Sequence, residues 1–252
     1  MTTERLLQLA TKAGRIMLEN GGETYRVEQT INFICMAYGV ENVDSFVTPT
    51  GIMSSVTDRE GKTYSLIQRI TERTVNLEKV RMVNELSRTV FEQNMTEIQM
   101  RDKIREIDDS TPYAIWSQYL MSAIAVAAFC LLFGGAWKDT IVAFFVGLLI
   151  QFNNQYLEGW GINRFLIRMS GGVIAALMGL LAVYLGLGEQ DDKITIGAIM
   201  LLVPGLAMTN AIRDIIAEDL VSGMSRALEA LFIALAISAG TGVVYKLWYV
   251  FS

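Results

Sequence analysis

From Tyr113 onward the chain is a succession of apolar stretches long enough to cross a bilayer, and this constrains the fold more than any other feature. A hydrocarbon core takes about 20 predominantly apolar residues to span. Inside it every backbone polar group must be satisfied within the segment, which favours helices. No such stretch precedes Tyr113, where most of the charge sits, so the averages of 52% hydrophobic and 19% charged conceal two unlike halves. The expectation is an α-helical integral membrane protein with about five transmembrane helices over residues 113–252, preceded by a small α+β soluble domain over residues 1–112.

In the front half, Leu6, Leu7, Leu9, Ala10, Ala13, Ile16 and Met17 recur at helical spacing up to Gly21-Gly22. A second helix carries Val27, Ile31, Ile34 and Cys35 on one face and ends at Gly39. Residues 43–49, 52–56 and 64–70 are rich in β-branched and aromatic side chains and read as a small antiparallel sheet, with a turn at Asp58–Lys62. Asn76 is expected to cap a further helix through Leu77, Val80, Val83 and Leu86, and Thr96 to begin another. The polar run Gly21–Glu28 opens the second helix and reads as ordinary capping in preference to an anion site at the helix start, which Glu23 would repel. Glu72, Arg73, Glu78, Lys79 and Arg81 read as a solvated face.

Several chemistries are excluded. The chain has no histidine, which removes Ser-His-Asp and Cys-His catalysis and the usual zinc sites. Its two cysteines, Cys35 and Cys130, fall in different halves and imply no disulfide framework. A net charge of -5 without a basic cluster argues against nucleic-acid binding. No GxxxxGK[ST] loop is present, so ATP is not indicated. The N-terminus lacks the apolar core of a signal peptide. Neither an enzyme nor a cofactor-dependent protein is expected.

In the membrane half the spans are expected over about Tyr113–Phe133, Thr140–Phe152, Met169–Gly188, Ile194–Ile212 and Ala227–Phe251. Polar connections cover residues 153–160 and 213–226. The third span carries Gly171, Ala175 and Gly179 at four-residue steps, a ridge that lets another helix approach closely. Arg164, Arg168, Arg213 and Arg226 lie on one side and Lys138, Lys193 and Lys246 on the other. The positive-inside rule then puts the N-terminal domain in the cytoplasm.

The fourth span is interrupted by Pro204-Gly205 and then studded with Thr209, Asn210, Arg213 and Asp214. Proline removes a backbone donor and bends or breaks a helix. Such a break either shapes packing or builds a midplane site whose free N–H groups receive an anion. On the second alternative, Pro204, Gly205, Thr209, Asn210 and Asp214 are the substrate-binding candidates. Arg213, Arg226 and Glu229 are the coupling or gating candidates. Glu229, which can pair with Arg226 three residues before it, is either an ion-path carboxylate or an interfacial one.

Four blocks carry a resemblance: Gly22-Glu23-Thr24-Tyr25-Arg26-Val27-Glu28; Val47-Thr48-Pro49-Thr50-Gly51-Ile52; Val83-Asn84-Glu85-Leu86-Ser87-Arg88; and Leu202-Val203-Pro204-Gly205 continuing through Asn210, Arg213, Asp214, Asp219, Ser222 and Gly223. In this order they resemble the threonine/serine exporter family (ThrE/YjjP type), specifically its larger subunit with an N-terminal soluble domain. The resemblance implies export of threonine, serine or a similar small amino acid, driven by the proton motive force. It also implies a multi-pass protein of the bacterial cell (inner/plasma) membrane, working as a homo- or hetero-oligomer. Members of this form are expected to have a small membrane partner subunit of the same family, whereas others carry a second membrane domain, which is not expected here. Some two-subunit systems of the type are linked to succinate instead. The remaining alternative is a regulatory membrane protein with a ligand-sensing soluble domain.

Overall fold

The computed structural model describes residues 1–93, 95–111 and 113–251. Pro112 and Ser252, which end the two expected halves, lie outside the described residues. The chain forms two compact units, Met1–Pro112 with Leu206–Ala227, and Tyr113–Gly205 with Leu228–Ser252. The first unit thus takes a segment from what reads as membrane sequence. The physical reason is the polar face of that segment, described below.

In the first unit, α1 (Thr3–Glu19) starts at Thr2, whose side chain accepts the Arg5 N–H, and buries the apolar stripe read from the sequence. The helix α2 (Thr24–Ala37) packs beside it, with Gly14 so close that an added Cβ would lie 2.9 Å from Ile31. Beneath them lies an antiparallel sheet of β1 (Asn42–Thr48), β2 (Gly51–Thr57) and β3 (Thr63–Arg69) in the order β1-β2-β3. Val47, Ile52 and Val56 point inward and are buried, and each such side chain contributes roughly 1.5–3 kcal/mol by leaving water. Gly61 takes φ +81° in the β2–β3 turn, as its position there anticipates.

The helix α3 (Leu77–Gln93) is capped by Asn76, whose Oδ1 accepts the Lys79 N–H, and α4 (Glu97–Asp109) by a Thr96–Gln99 capping box. Arg81 pairs with Glu78 and Glu85 on the solvated face, while Lys79 Nζ donates to the Asp108 carbonyl 2.7 Å away.

The second unit contains α5 (Ile115–Leu132), α6 (Trp137–Gly159), α7 (Arg164–Tyr184), α8 (Asp191–Met200) and most of α10 (Leu220–Phe251). A break at residues 201–204 separates α8 from α9 (Gly205–Ile216). Among the described residues, α5, α6, α7 and α10 are long and apolar enough to cross a membrane, and the bent α8–α9 pair makes up to five spans. Large side chains such as Leu132, Phe145 and Phe232 are exposed on them. Such surface is a liability in water and ordinary against lipid.

Two expected boundaries are corrected. The polar stretch after Phe152 is not a connection: α6 continues to Gly159, because its polar groups find partners and its rings stack. Asn153 donates to Ser170 Oγ, Gln155 to Gln118, and Phe152, Tyr156 and Trp160 follow one another at centroid distances of 5.8 and 5.5 Å. The connection expected over residues 213–226 shrinks to Ala217–Asp219, where Glu218 takes φ +67°.

The small-residue ridge of α7 is a close-packing surface. An added Cβ would lie 2.6 Å from the Ile237 carbonyl at Gly172, 2.6 Å from Thr195 Oγ1 at Gly179, and 2.8 Å from Leu202 at Gly171. At one end of the unit, buried Asp139 accepts the N–H groups of Ala136, Glu189 and Gln190, closing the α7–α8 loop onto the start of α6. Tyr245 on α10 donates to Asp191 on α8.

Candidate functional site: a polar cluster in the first unit

The first unit gathers polar side chains around the turn between α1 and α2. Gly21 takes φ +98°, and an added Cβ at Gly22 would lie 2.6 Å from Met17, so this tight turn requires glycine. It leaves two carbonyls to be satisfied, and both are met by side chains from the membrane sequence. Asn210 Nδ2 on α9 donates to Gly21 O at 3.0 Å, and Arg226 Nη2 on α10 donates to Gly22 O at 2.9 Å.

The capping expectation for Gly21–Glu28 is corrected here. Glu23 occupies the N-cap of α2 but makes no side-chain capping bond. Its carboxylate instead meets Arg213 of α9 and, at 3.4 Å, Arg26. The fully buried Thr24 hydroxyl lies 3.0 Å from Asp214 Oδ1 and 2.9 Å from Asp219 Oδ2. Asp214, also fully buried, has Arg226 Nε 2.9 Å from its other oxygen. Asp219 Oδ1 accepts the Ser222 N–H and so caps the start of α10.

The free edge of β1 joins the same cluster through Val47. Glu28 Oε1 accepts the Val47 N–H at 2.9 Å, while Ser222 Oγ donates to the Val47 carbonyl at 3.3 Å. Burial pushes the Glu28 carboxyl above the ordinary range. The Val47 N–H opposes this, and the charges of Asp219 and Asp214 add to it. The hairpin also exposes large apolar side chains, Ile212, Ile216, Leu220, Val221 and Met224, alongside the polar Thr209, Glu218 and Ser225. The hairpin is amphipathic, with its polar side turned to the turn, α2 and β1.

Of the residues singled out by sequence, the structure brings Asn210, Arg213, Asp214 and Arg226 together. Thr209 lies on α9 and is exposed. Pro204 and Gly205 belong to the second unit, as does Glu229, which sits 4.0 Å from Arg164. Arg226 Nε lies 2.9 Å from Asp214 Oδ2 on the neighbouring helix. Sequence reasoning missed Thr24, Glu28, Asp219 and Ser222 as partners in this cluster. Thr24 and Glu28 are one helical turn apart and share a face, which was the available signal. Among the described residues, no group of three or more Cys, Asp or Glu is placed to hold a metal ion.

Residues 8–248 match the family model described as "Putative threonine/serine exporter" (ThrE). The chain belongs to the threonine/serine exporter family. This is a family of transporters, not of enzymes. Similar proteins named "Probable succinate transporter subunit YjjP" occur in Klebsiella aerogenes and Escherichia coli. They are 22% and 23% identical over 96% and 98% of this chain, and 93% and 98% of their own length is covered. A protein of Corynebacterium glutamicum named "Threonine/serine exporter" is 24% identical over 94% of this chain, which covers 50% of that exporter's length. No solved structure matches. The polar cluster thus draws on three of the blocks by which this threonine/serine exporter family chain was recognisable: Gly22–Glu28, the block that opens at Val47, and the stretch from Asn210 to Gly223.

Proposed function

We propose that this chain is the larger subunit of a secondary exporter that moves threonine, serine or a similar small amino acid out of the cytoplasm, driven by the proton motive force. The observation that carries this reading is the set Asn210, Asp214 and Arg226, buried polar groups on a hairpin that also exposes large apolar side chains. Ionisable groups in such a segment are costly and by default mark a transport path. In the proposed cycle the segment from Pro204 through Thr209, Asn210 and Asp214 receives the substrate, with the first N–H groups of α9 directed at its carboxylate. Asn210 and Asp214 would exchange their contacts with Gly21 and Thr24 for the substrate. Arg213 and Arg226 gate that exchange, and Glu229 beside Arg164 takes part in coupling. The N-terminal domain faces the cytoplasm of a bacterial cell, and a small membrane subunit of the same family completes the transporter.

One observation favours a second substrate. The relatives that this chain covers almost end to end carry the name succinate transporter subunit. A dicarboxylate suits a helix N-terminus as well as an amino acid does. Export from cells preloaded with threonine, serine or succinate separates the two, with this chain expressed alone and with a candidate small partner. Export of one compound only in the paired cells is the expected result and names the substrate. No export of any of them, with both proteins verified in the membrane, would overturn the reading.

A further inference from the structure

We propose that Thr24, Asp214 and Asp219 form a one-proton latch that holds the α9–α10 hairpin against α2 while a single proton is shared among them. The geometry forces the count. A threonine hydroxyl carries one hydrogen, yet the Thr24 oxygen lies within hydrogen-bond distance of two carboxyl oxygens, Asp214 Oδ1 at 3.0 Å and Asp219 Oδ2 at 2.9 Å. With both acids ionised, the hydroxyl satisfies one, and the other faces an oxygen lone pair and a second negative charge. With one proton added, a carboxyl O–H donates to the Thr24 oxygen and the Thr24 O–H donates to the remaining carboxylate. Loss of that proton to water reverses this and leaves the single Thr24 hydrogen between two carboxylate oxygens. Like carboxylates in one site titrate as a pair.

The surrounding charges leave this balance standing. Arg226 neutralises one acid through Asp214 Oδ2. Arg213 is engaged by Glu23, which Arg26 also faces. From α2, Glu28 adds a further negative group, its carboxyl pushed up first by burial and, against the Val47 N–H, by the charges of Asp219 and Asp214. From β1 the backbone N–H and carbonyl of Val47 take part. Among the described residues, the four acids and three bases named here leave one negative charge in excess, which one proton cancels.

The role of the latch as the proton-coupling step rests on the exporter reading, whereas its existence does not, so it is tested without transport. Purified full-length protein in lipid is followed by pH-difference infrared spectroscopy and by amide hydrogen exchange over residues 206–227. The expected result is a protonated-carboxyl C=O signal that disappears as pH rises, with a rise in exchange of about tenfold per pH unit across the same range after correction for intrinsic chemistry, the slope of a one-proton linkage. Asp219→Asn, whose amide donates permanently to Thr24, is expected to abolish the signal and flatten the exchange. Glu28→Gln is expected to keep both. A wild-type protein with no carboxyl signal, or a signal lost in Glu28→Gln, overturns the proposal even if Asp219→Asn does not fold. A titrating latch in a protein that exports nothing would overturn the exporter reading alone.

Discussion

Asp214 on α9 and Arg226 on α10 form an ion pair with Nε and Oδ2 2.9 Å apart, the carboxylate fully buried and the guanidinium nearly so. A buried pair owes little net stability to its mutual attraction, since both ions lose hydration. Removing one partner, however, strands the other. Arg226→Met is therefore expected to cost about 3–5 kcal/mol, read as a lowered unfolding temperature in detergent. The double variant Asp214→Leu/Arg226→Met is expected to recover part of that loss. A double variant that unfolds as easily as the single one would mean the stranded charge is not the cause.

The α7 ridge makes a second expectation concrete. At Gly172 a methyl group would lie 2.6 Å from the Ile237 carbonyl, and at Gly240 it would overlap the Met169 carbonyl, both backbone atoms that cannot turn aside. Gly172→Ala and Gly240→Ala are expected to cost roughly 1–3 kcal/mol each through overpacking. Gly242, where an added methyl meets nothing within 4 Å, is the control. Gly242→Ala is expected to be neutral or slightly stabilising, because alanine is the better helix former. Unfolding of the three variants by heat in one detergent checks the order.

The front of the chain was legible because its signals are local. The apolar spacing of α1, Thr96 at the start of α4 and the β-branched and aromatic residues of the three strands each specify an element within a few residues. The membrane helices were legible from apolar length, but their ends were not. Asn153, Gln155 and Tyr156 read as a loop until Ser170, Gln118 and the neighbouring rings supply partners from elsewhere. The cluster was half legible. Asn210, Arg213, Asp214 and Arg226 stood out as polar groups in apolar sequence, whereas Thr24 and Glu28 sit in a polar domain where another hydroxyl or carboxylate is unremarked. A pairing of residues 190 apart leaves no local trace.

Cys35 offers a test of the first unit's core. Burial pushes its thiol up to about 12, and the side chain is inaccessible. Since the thiolate is the reacting species, native protein at pH 8 is expected to leave Cys35 unmodified by a soluble maleimide and to react promptly once denatured. A Cys130→Ser background with mass-spectrometric mapping assigns the signal. Prompt native labelling at Cys35 would contradict the packing of α2 against α1.

The raised carboxyl of Glu28 makes stability fall as pH rises. A carboxyl that binds its proton more tightly folded than unfolded stabilises the fold fully below the unfolded pKa, about 4.3. That contribution is lost as pH rises through the higher folded value. Glu19 is raised as well, by burial against the opposing pull of Arg15, and adds to the same slope. Glu28→Gln, which keeps an oxygen for the Val47 N–H, is expected to reduce the slope without abolishing it. Unfolding midpoints between pH 4 and 8 measure it, and an unchanged slope would remove Glu28 as a contributor.

The transport reading makes its sharpest demand where the two units contribute different acids. Asp214 sits in the polar cluster of the first unit, whereas Glu229 sits beside Arg164 in the second. Asp214→Asn keeps the size of the side chain but removes the charge that faces Arg226, and Asn210→Ala removes the donor to Gly21 O. If these groups contact substrate, each is expected to lower the export rate at equal membrane abundance by about tenfold or more, the equivalent of 1.4 kcal/mol in the barrier. Glu229→Gln separates two roles. Loss of uphill export with downhill exchange retained would mark it as a coupling group, because exchange needs the substrate site but no proton. Loss of both would place it with the substrate contacts, and loss of neither would leave it an interfacial partner of Arg164. Unchanged export in all three variants would remove this set from the transport path altogether.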